Sequence, residues 1–516
     1  MLLSVLNDSP TVDEPPHILS GYAALKYGQA YIDPEHPLLA KTLASLPLLL
    51  QDIKFNKNDP DYKTQEADFD IGKMFAASQR FLNYSGNNPD GILLSTRIPM
   101  IFLTVLFGVF IFLFTKKLFG DLAALIATFF YATEPNILAH GGLVNTDLAG
   151  AGFILTTIFS LFLYWERQST KRLAVLILSL SAALLSKYSA IFLVPLVLAL
   201  MTIRYLTQSH RPIRHLIFVV LGVLLLISLF YGLISFADRG VLGFSPYQYF
   251  FGLATVQHEL YTDLRFAYLL GEGYYGSRWY YFPILILAKT QIVLLASFIL
   301  SLFLLVGKRL HLSLGQLVSL LLPPLFFLGL ALTTKFNIGV RHVLPLYPFM
   351  IILGAASITV LSRVVITKLN KKIGLVVAGL LIFLFIGSRA WSIATTFPGY
   401  LSYCNFIFGG TENGWKVSND SNYDWGQDVK RLADYVNKNS ITSIASDIYP
   451  GAYATKYYKI PVTSISPKDT NYKGYLALST FSITFHEHRK DNYSWVVDNY
   501  QPIAKAGYSI FIYEVR

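Results

Sequence analysis

RIPMIFLTVLFGVFIFLFTKK, Arg97–Lys117, decides the fold class of this chain. No charged residue stands between Arg97 and Lys116. An uncharged apolar run of about 18 residues is long enough to cross a bilayer as a helix. Counting this one as 97–115, about ten such runs follow one another. The others are 121–139, 148–165, 173–186, 189–203, 216–236, 283–306, 316–332, 343–361 and 374–395. The two runs around Ser186-Lys187-Tyr188 are short for two full spans. Composition agrees: 53% of the 516 residues are hydrophobic and only 14% charged, where a soluble domain carries about 25% charged residues. Mean hydropathy is +0.47. The net charge of +11 reads as membrane topology rather than nucleic-acid binding, because Lys and Arg sit mostly between the apolar runs. The one cysteine, Cys404, excludes an intramolecular disulfide and with it a disulfide-stapled outer domain.

Orientation follows from the loops. One set carries Lys116-Lys117, then Arg167, Lys171 and Arg172, then Arg204, Arg211 and Arg214, then Lys308-Arg309, then Arg363, Lys368, Lys371 and Lys372. The opposite loop at 140–147 has no Lys or Arg. The positive-inside rule puts the basic set in the cytoplasm. The three large polar segments, 1–96, 237–282 and 397–516, then share the extracytoplasmic side, where chemistry is expected. Residues 1–96 form a first outer loop with amphipathic helices such as Pro37–Leu50, and 97–396 form the transmembrane helical bundle. Residues 397–516 form a small α/β domain, with strands at Ile441–Ala445, Tyr475–Leu478 and Tyr508–Val515 and helices at Asp428–Asn437 and Tyr493–Tyr500. Met1–Asn7 is too short to span, so either the chain starts outside or a preceding helix is missing from this sequence; the second is the expectation.

Ionisable residues at the ends of apolar spans are costly and need a reason. On the outer side they cluster: Asp13-Glu14 in TVDEPPHILSGY, Glu35-His36-Pro37 and Lys41 in PEHPLLAK, Arg97, His140 and Asp147 around HGGLVNTDLAG, and Arg341-His342 in NIGVRHVLPLYPF. Glycosyl transfer from a lipid phosphate needs such a set. A carboxylate accepts the proton of the attacking hydroxyl, and cations hold the departing phosphate. The pattern alone is only moderately specific, because transporters also carry such residues.

The strings DEPPHILSGYAALKYGQAYIDPEHPLLAKTLASLPLL, GNNPDGILLSTRIPM, EPNILAHGGLVNTDLAG, LLSKYSAIFLVP, YLLGEGYYGSRWYYFPILILAKT, NIGVRHVLPLYPF and GYLSYCNFIFGGTENGWKVSNDSNYDWGQDVKRLADY occur in this order over nearly the whole chain. Together they resemble the bacterial branch of glycosyltransferase family 39. These are C-type-fold transferases related to protein O-mannosyltransferases and to the lipid A aminoarabinose transferase. The resemblance implies an α-helical polytopic membrane protein that moves a sugar, with inversion, from a polyprenyl-phosphate donor to a hydroxyl acceptor in protein, lipid or glycan, without a cofactor. It implies Asp13 as general base, Glu14 as the second acid of the pair, and Asp147 as a further acid that positions donor or acceptor. It implies phosphate contacts from Arg97, Lys187, Arg341 and His342, with His36 standing where the aminoarabinose relatives carry Lys, and Lys41 nearby. Family members carry a helix before the acidic pair, and this chain does not.

Each residue also has a plainer reading. Asp13 competes with a loop acid, Asp147 with a cap for the helix from Leu148, and Arg97 with a snorkelling anchor. Arg341 and His342 compete with anchoring at a span start, and Lys289 with snorkelling. The run Tyr274–Phe282 is most simply an interfacial aromatic belt. Asp420–Asp428 reads as a capped turn rather than a metal site, and the spacing of acids and histidines carries no metal signature, so no metal is expected. A transporter or flippase of lipid-linked sugars is the main rival; it predicts charges near mid-span and paired broken helices. A non-catalytic scaffold is the other, and would not need the acids and bases to converge.

Overall fold

Every apolar run folds as helix in the computed structural model, which describes residues 1–62, 69–206, 214–240, 246–262, 265–449, 452–485 and 492–516. Arg211 and parts of the 237–282 loop lie outside the described residues. Among those described, seven helical segments are long and apolar enough to span: Pro89–Phe119, Asp147–Glu166, Tyr188–Leu206, Arg214–Phe236, Leu314–Thr333, Val340–Lys368 and Lys371–Thr396. The expected count of about ten becomes seven, or eight if the bent pair Tyr281–Lys289 and Ile292–Val306 is one broken span, and three runs differ from expectation. Run 121–139 breaks before Pro135 into Asp121–Ala132 and Pro135–His140, because proline has no N–H to continue the ladder. The first piece is about 18 Å long at 1.5 Å per residue, short of the hydrocarbon core. Thr170–Ser186 is also short, about 25 Å. Run 283–306 is two helices, Tyr281–Lys289 and Ile292–Val306, bent by 115°.

Helix starts follow local chemistry. Pro89 opens the first long span, and the Asn88 side chain accepts from Gly91 N at 3.1 Å, a proline-plus-cap start. Pro15 and Pro16 occupy the first turn of Glu14–Tyr27, which fixes the backbone where Asp13 meets the helix. This helix crosses Leu38–Ser45 at Gly21, where a Cβ would lie 2.2 Å from the Lys41 carbonyl oxygen. Only glycine permits that approach.

The outer segments gather at one end of the bundle. Tyr458 donates to Asp90 at 3.0 Å, and Leu270 N donates to the Val417 carbonyl at 2.8 Å. At the other end Lys116 pairs with Asp121 and Lys117 with Glu166. Strands β1 (Phe266–Leu269) and β2 (Glu272–Tyr275) form a hairpin in the second polar segment, 237–282. The C-terminal sheet comprises β3 (Ile444–Asp447), β4 (Val462–Ser464), β5 (Gly474–Ser479), β6 (Ala504–Ala506) and β7 (Ile510–Val515), in order β4-β3-β5-β7-β6. β3 pairs in parallel with β4 and β5, whereas β7 is antiparallel to β5 and β6. Helix Val429–Lys438 buries Val429, Leu432 and Val436 against this sheet. The expected helix at Tyr493–Tyr500 is one turn, Ser494–Val497. Residues 397–428 bridge the bundle and the C-terminal domain, with Trp415 against Phe511 of β7 and Asp424 accepting from Phe481 N. Ser9 and Val12 hydrogen-bond the backbone at 425–427, and Asn405 and Asn422 hold the bent helix pair.

Candidate active site

Asp13 stands immediately before its helix, and its carboxylate pairs with Arg341, 328 residues away in sequence. Arg341 also lies 3.7 Å from Asp147. Asp147 is the first residue of Asp147–Glu166, but its side chain caps nothing: its carboxylate pairs with Lys187. Lys187 ends Thr170–Ser186 in extended backbone. Its stem passes over Gly150, where a Cβ would sit 2.9 Å from the Lys187 Cβ. Two carboxylates and two cations from four elements therefore share one chain of ion pairs.

These residues line a cavity of about 220 Å³ together with His17, Asp33, His36 and His342. Its apolar wall is Met74, Phe75, Val256, Leu260, Phe336 and Ile338. Nε of Arg341 and Nε2 of His342 are buried and make no hydrogen bond among the described residues. A buried polar atom without a partner is costly, and a ligand is one reason to tolerate it. His36 is half-buried. That burial, reinforced by the neighbouring His17 and Lys41, holds its imidazole well below the usual value, so it faces the cavity as a neutral ring.

Sequence reasoning missed several residues here. His17, one helical turn beyond Asp13 and so on the same face, donates from Nδ1 to the Val144 carbonyl at 2.8 Å. Its Nε2 lies 3.6 Å from Asp33. The i, i+4 spacing from Asp13 was the available signal. On the facing wall Arg265 sits 3.6 Å from Glu35 and 3.5 Å from Glu259, with its guanidinium 4.6 Å above the Phe336 ring. Burial and the adjacent acids Asp33 and Glu259 push the Glu35 carboxyl well up. Arg265 lies in a loop without periodicity, and nothing in the sequence separated it from other loop cations.

Three expected site residues, Arg97, Glu14 and Lys41, are corrected, and Lys289 also lies away from the cavity lining. Arg97 does not reach the cavity. Its guanidinium forks onto Glu14 at 2.8 and 2.6 Å and donates to the carbonyls of Val5, Asp8 and Ser9, so all five N–H groups are engaged. Glu14 is fully buried and accepts from Arg97, from Thr11 N at 2.9 Å and from Val144 N at 3.1 Å. Burial pushes its carboxyl up, but Arg97 and the two backbone N–H groups outweigh that and hold it below the ordinary value. Lys41 donates to the carbonyls of Asp33 and His36 and pairs with the Asp33 carboxylate at 2.6 Å. It braces the His36 loop from behind. Lys289, at the bend of the broken pair, donates to the carbonyls of Leu401 and Asn422. Arg97 and Lys41 are saturated by groups of the chain itself, and Lys289 gives two of its three N–H groups to backbone carbonyls.

Fold and site thus define a helical polytopic membrane protein with a small α/β domain over a charged, half-apolar cavity. Residues 90–234 match the family described as dolichyl-phosphate-mannose-protein mannosyltransferase, so the resemblance read from the sequence is carried by a family model over those residues. No curated protein matches the sequence. Among solved structures, the chain is similar to ArnT from Cupriavidus metallidurans bound to undecaprenyl phosphate. The identity is 12%, the match covers 99% of this chain and 95% of that one, and the TM-score is 0.49. It is also similar to the archaeal oligosaccharyltransferase AglB from Archaeoglobus fulgidus in complex with an inhibitory peptide and a dolichol-phosphate. There the identity is 10%, the coverage 100% and 73%, and the TM-score 0.47.

Proposed function

We propose that this chain is a membrane glycosyltransferase of C-type architecture that transfers a sugar from a polyprenyl-phosphate donor to a hydroxyl acceptor at the extracytoplasmic face. The observation that carries the reading is the meeting of Asp13, Asp147, Lys187 and Arg341 on one cavity, although they come from distant parts of the chain. A scaffold has no need of that convergence.

In the proposed reaction the acceptor hydroxyl approaches Asp13, which takes its proton as the oxygen attacks the anomeric carbon. The bond between that carbon and the phosphate oxygen breaks on the opposite face, which inverts the configuration. Polyprenyl phosphate leaves as an anion and needs no proton. Arg341 and Lys187 supply the charge that stabilises it, with Arg265 across the cavity and His36 and His342 as further hydrogen-bonding groups. Asp147 orients both cations through its two ion pairs. Glu14 and Arg97 act as positioning residues, because their pairing sets the start of the helix that presents Asp13.

The test is incubation of the full chain in lipid nanodiscs with a panel of radiolabelled polyprenyl-phosphate sugars and membrane extracts as acceptor source. The expected result is release of polyprenyl phosphate with label in product, lost in Asp13→Asn. Movement of intact donor across the bilayer without cleavage of the phosphate–sugar bond would instead establish the flippase reading.

A further inference from the structure

The segment Phe336-Asn337-Ile338 is a wall with two faces. Phe336 and Ile338 line the charged cavity, whereas Asn337 lines a second, shallow cleft with Asn419 and Asp420. The cleft has an aromatic mouth. Phe481 and Phe485 stack at 4.3 Å and 23°, and Tyr449 lies 4.4 Å from Phe481 and within 12° of the plane of Phe485. Phe266 abuts Phe485 edge-on at 4.4 Å. Tyr449 is 50% exposed and Phe485 42% exposed. Phe481 is buried beneath them, so two near-parallel rings, Tyr449 and Phe485, are presented to water beside the cleft, an apolar surface that a ligand would cover.

The polar floor is selective. The Asn419 amide donates to Thr484 at 2.8 Å, and the Asn337 amide donates to Tyr274 at 3.0 Å, so both are occupied. Asp420 differs. One of its oxygens accepts from Ser421 N at 2.5 Å, and the other accepts no hydrogen bond among the described residues. Its backbone is left-handed at φ 59, a conformation aspartate adopts more readily than most residues because its short carboxylate can bond the local backbone. The cleft has a volume of about 10 Å³, room for one water-sized group. A hydroxyl fits; a ring does not.

The geometry points to an acceptor subsite for a carbohydrate: a sugar ring lies flat on Tyr449 and Phe485 and lowers one hydroxyl to Asp420, which places a neighbouring part of the glycan beside Asp13. Flat C–H faces of sugars suit aromatic faces, and a free carboxylate suits a hydroxyl donor. A threonine side chain could fill the acid pocket but has no flat face to lay on the rings, whereas a sugar ring carries both. This inference rests on the transferase reading for its purpose, but its binding step is measurable without turnover.

The experiment is saturation-transfer NMR of the full chain in nanodiscs with mannotriose, chitotriose, cellotriose and a threonine-containing peptide, beside a separate titration of undecaprenyl phosphate. At least one trisaccharide is expected to receive saturation. Tyr449→Ala/Phe485→Ala is expected to weaken that glycan about thirtyfold, equivalent to about 2 kcal/mol over the two ring contacts, with undecaprenyl phosphate affinity unchanged. Asp420→Asn weakens the same glycan without touching the rings. Absence of any trisaccharide signal, glycan binding indifferent to the ring variants, or ring-dependent binding of the peptide alone each overturns the proposal. Ring-dependent glycan binding in a chain that cleaves no donor would keep the subsite and remove the transferase reading. Transfer to an acceptor that ignores Tyr449 and Phe485 would do the reverse.

Discussion

Asp13 and Glu14 are neighbours in sequence, each paired with an arginine, yet the two pairs belong to different kinds of site. Glu14–Arg97 is closed: both partners are buried, all five guanidinium N–H groups are engaged, and the carboxylate accepts backbone N–H groups on its remaining lone pairs. Asp13–Arg341 is open: Arg341 divides itself between two carboxylates, keeps an Nε without a partner among the described residues and lines a cavity. Charge and burial do not distinguish a structural ion pair from a functional one. Unsatisfied hydrogen-bonding capacity beside empty space does.

The largest expected effect tests the open pair. Asp13→Asn is expected to lower transfer by about 10²–10⁴-fold, the usual contribution of a general base, with a melting temperature close to wild type. Turnover assays on radiolabelled donor check it, and near-normal rates would remove Asp13 from the role. The closed pair is expected to fail differently. Arg97→Met leaves Glu14 buried without its partner, at a cost of about 3–5 kcal/mol, read as a lowered thermal midpoint in detergent. An Arg97→Met protein that melts normally but no longer binds undecaprenyl phosphate would invert the comparison.

Smaller changes sharpen it. Arg341→Lys keeps the charge but loses the planar fork. Its affinity for undecaprenyl phosphate is expected to fall about tenfold, the scale of one charge-assisted hydrogen bond, whereas Lys41→Met is expected to leave that affinity unchanged and lower stability. The smallest effect lies away from both pairs. Burial pushes the Asp424 carboxyl up to about 7, against hydrogen bonds from Phe481 N and Gly426 N. The folded state therefore binds this proton more tightly than the unfolded state. The stability this contributes is fully present below about pH 4 and is lost as pH rises through 7, at about 1.4 kcal/mol for each tenfold difference in proton affinity between the two states. Asp424→Asn is expected to flatten the fall in melting temperature between about pH 4 and 7, the window in which the folded state holds this proton and the unfolded state does not; an unchanged slope would count against it.

The amino-acid sequence by itself determined the helical membrane architecture, the polar C-terminal unit and the set of strings in which the site residues lie. Those properties are local: an uncharged apolar run must bury its backbone hydrogen bonds in a helix, whatever its neighbours. Six of the nine residues singled out, Asp13, Asp147, Lys187, Arg341, His342 and His36, line the cavity. Tertiary structure alone decided which of two adjacent acids meets the cavity and which is sealed behind it. Successive residues at a helix start point about 100° apart, so Asp13 and Glu14 face different partners, and a partner 83 or 328 positions away leaves no trace in local sequence. It also brought Arg265 and Asp420 to the site, from a loop and a turn whose placement depends on packing of elements far along the chain.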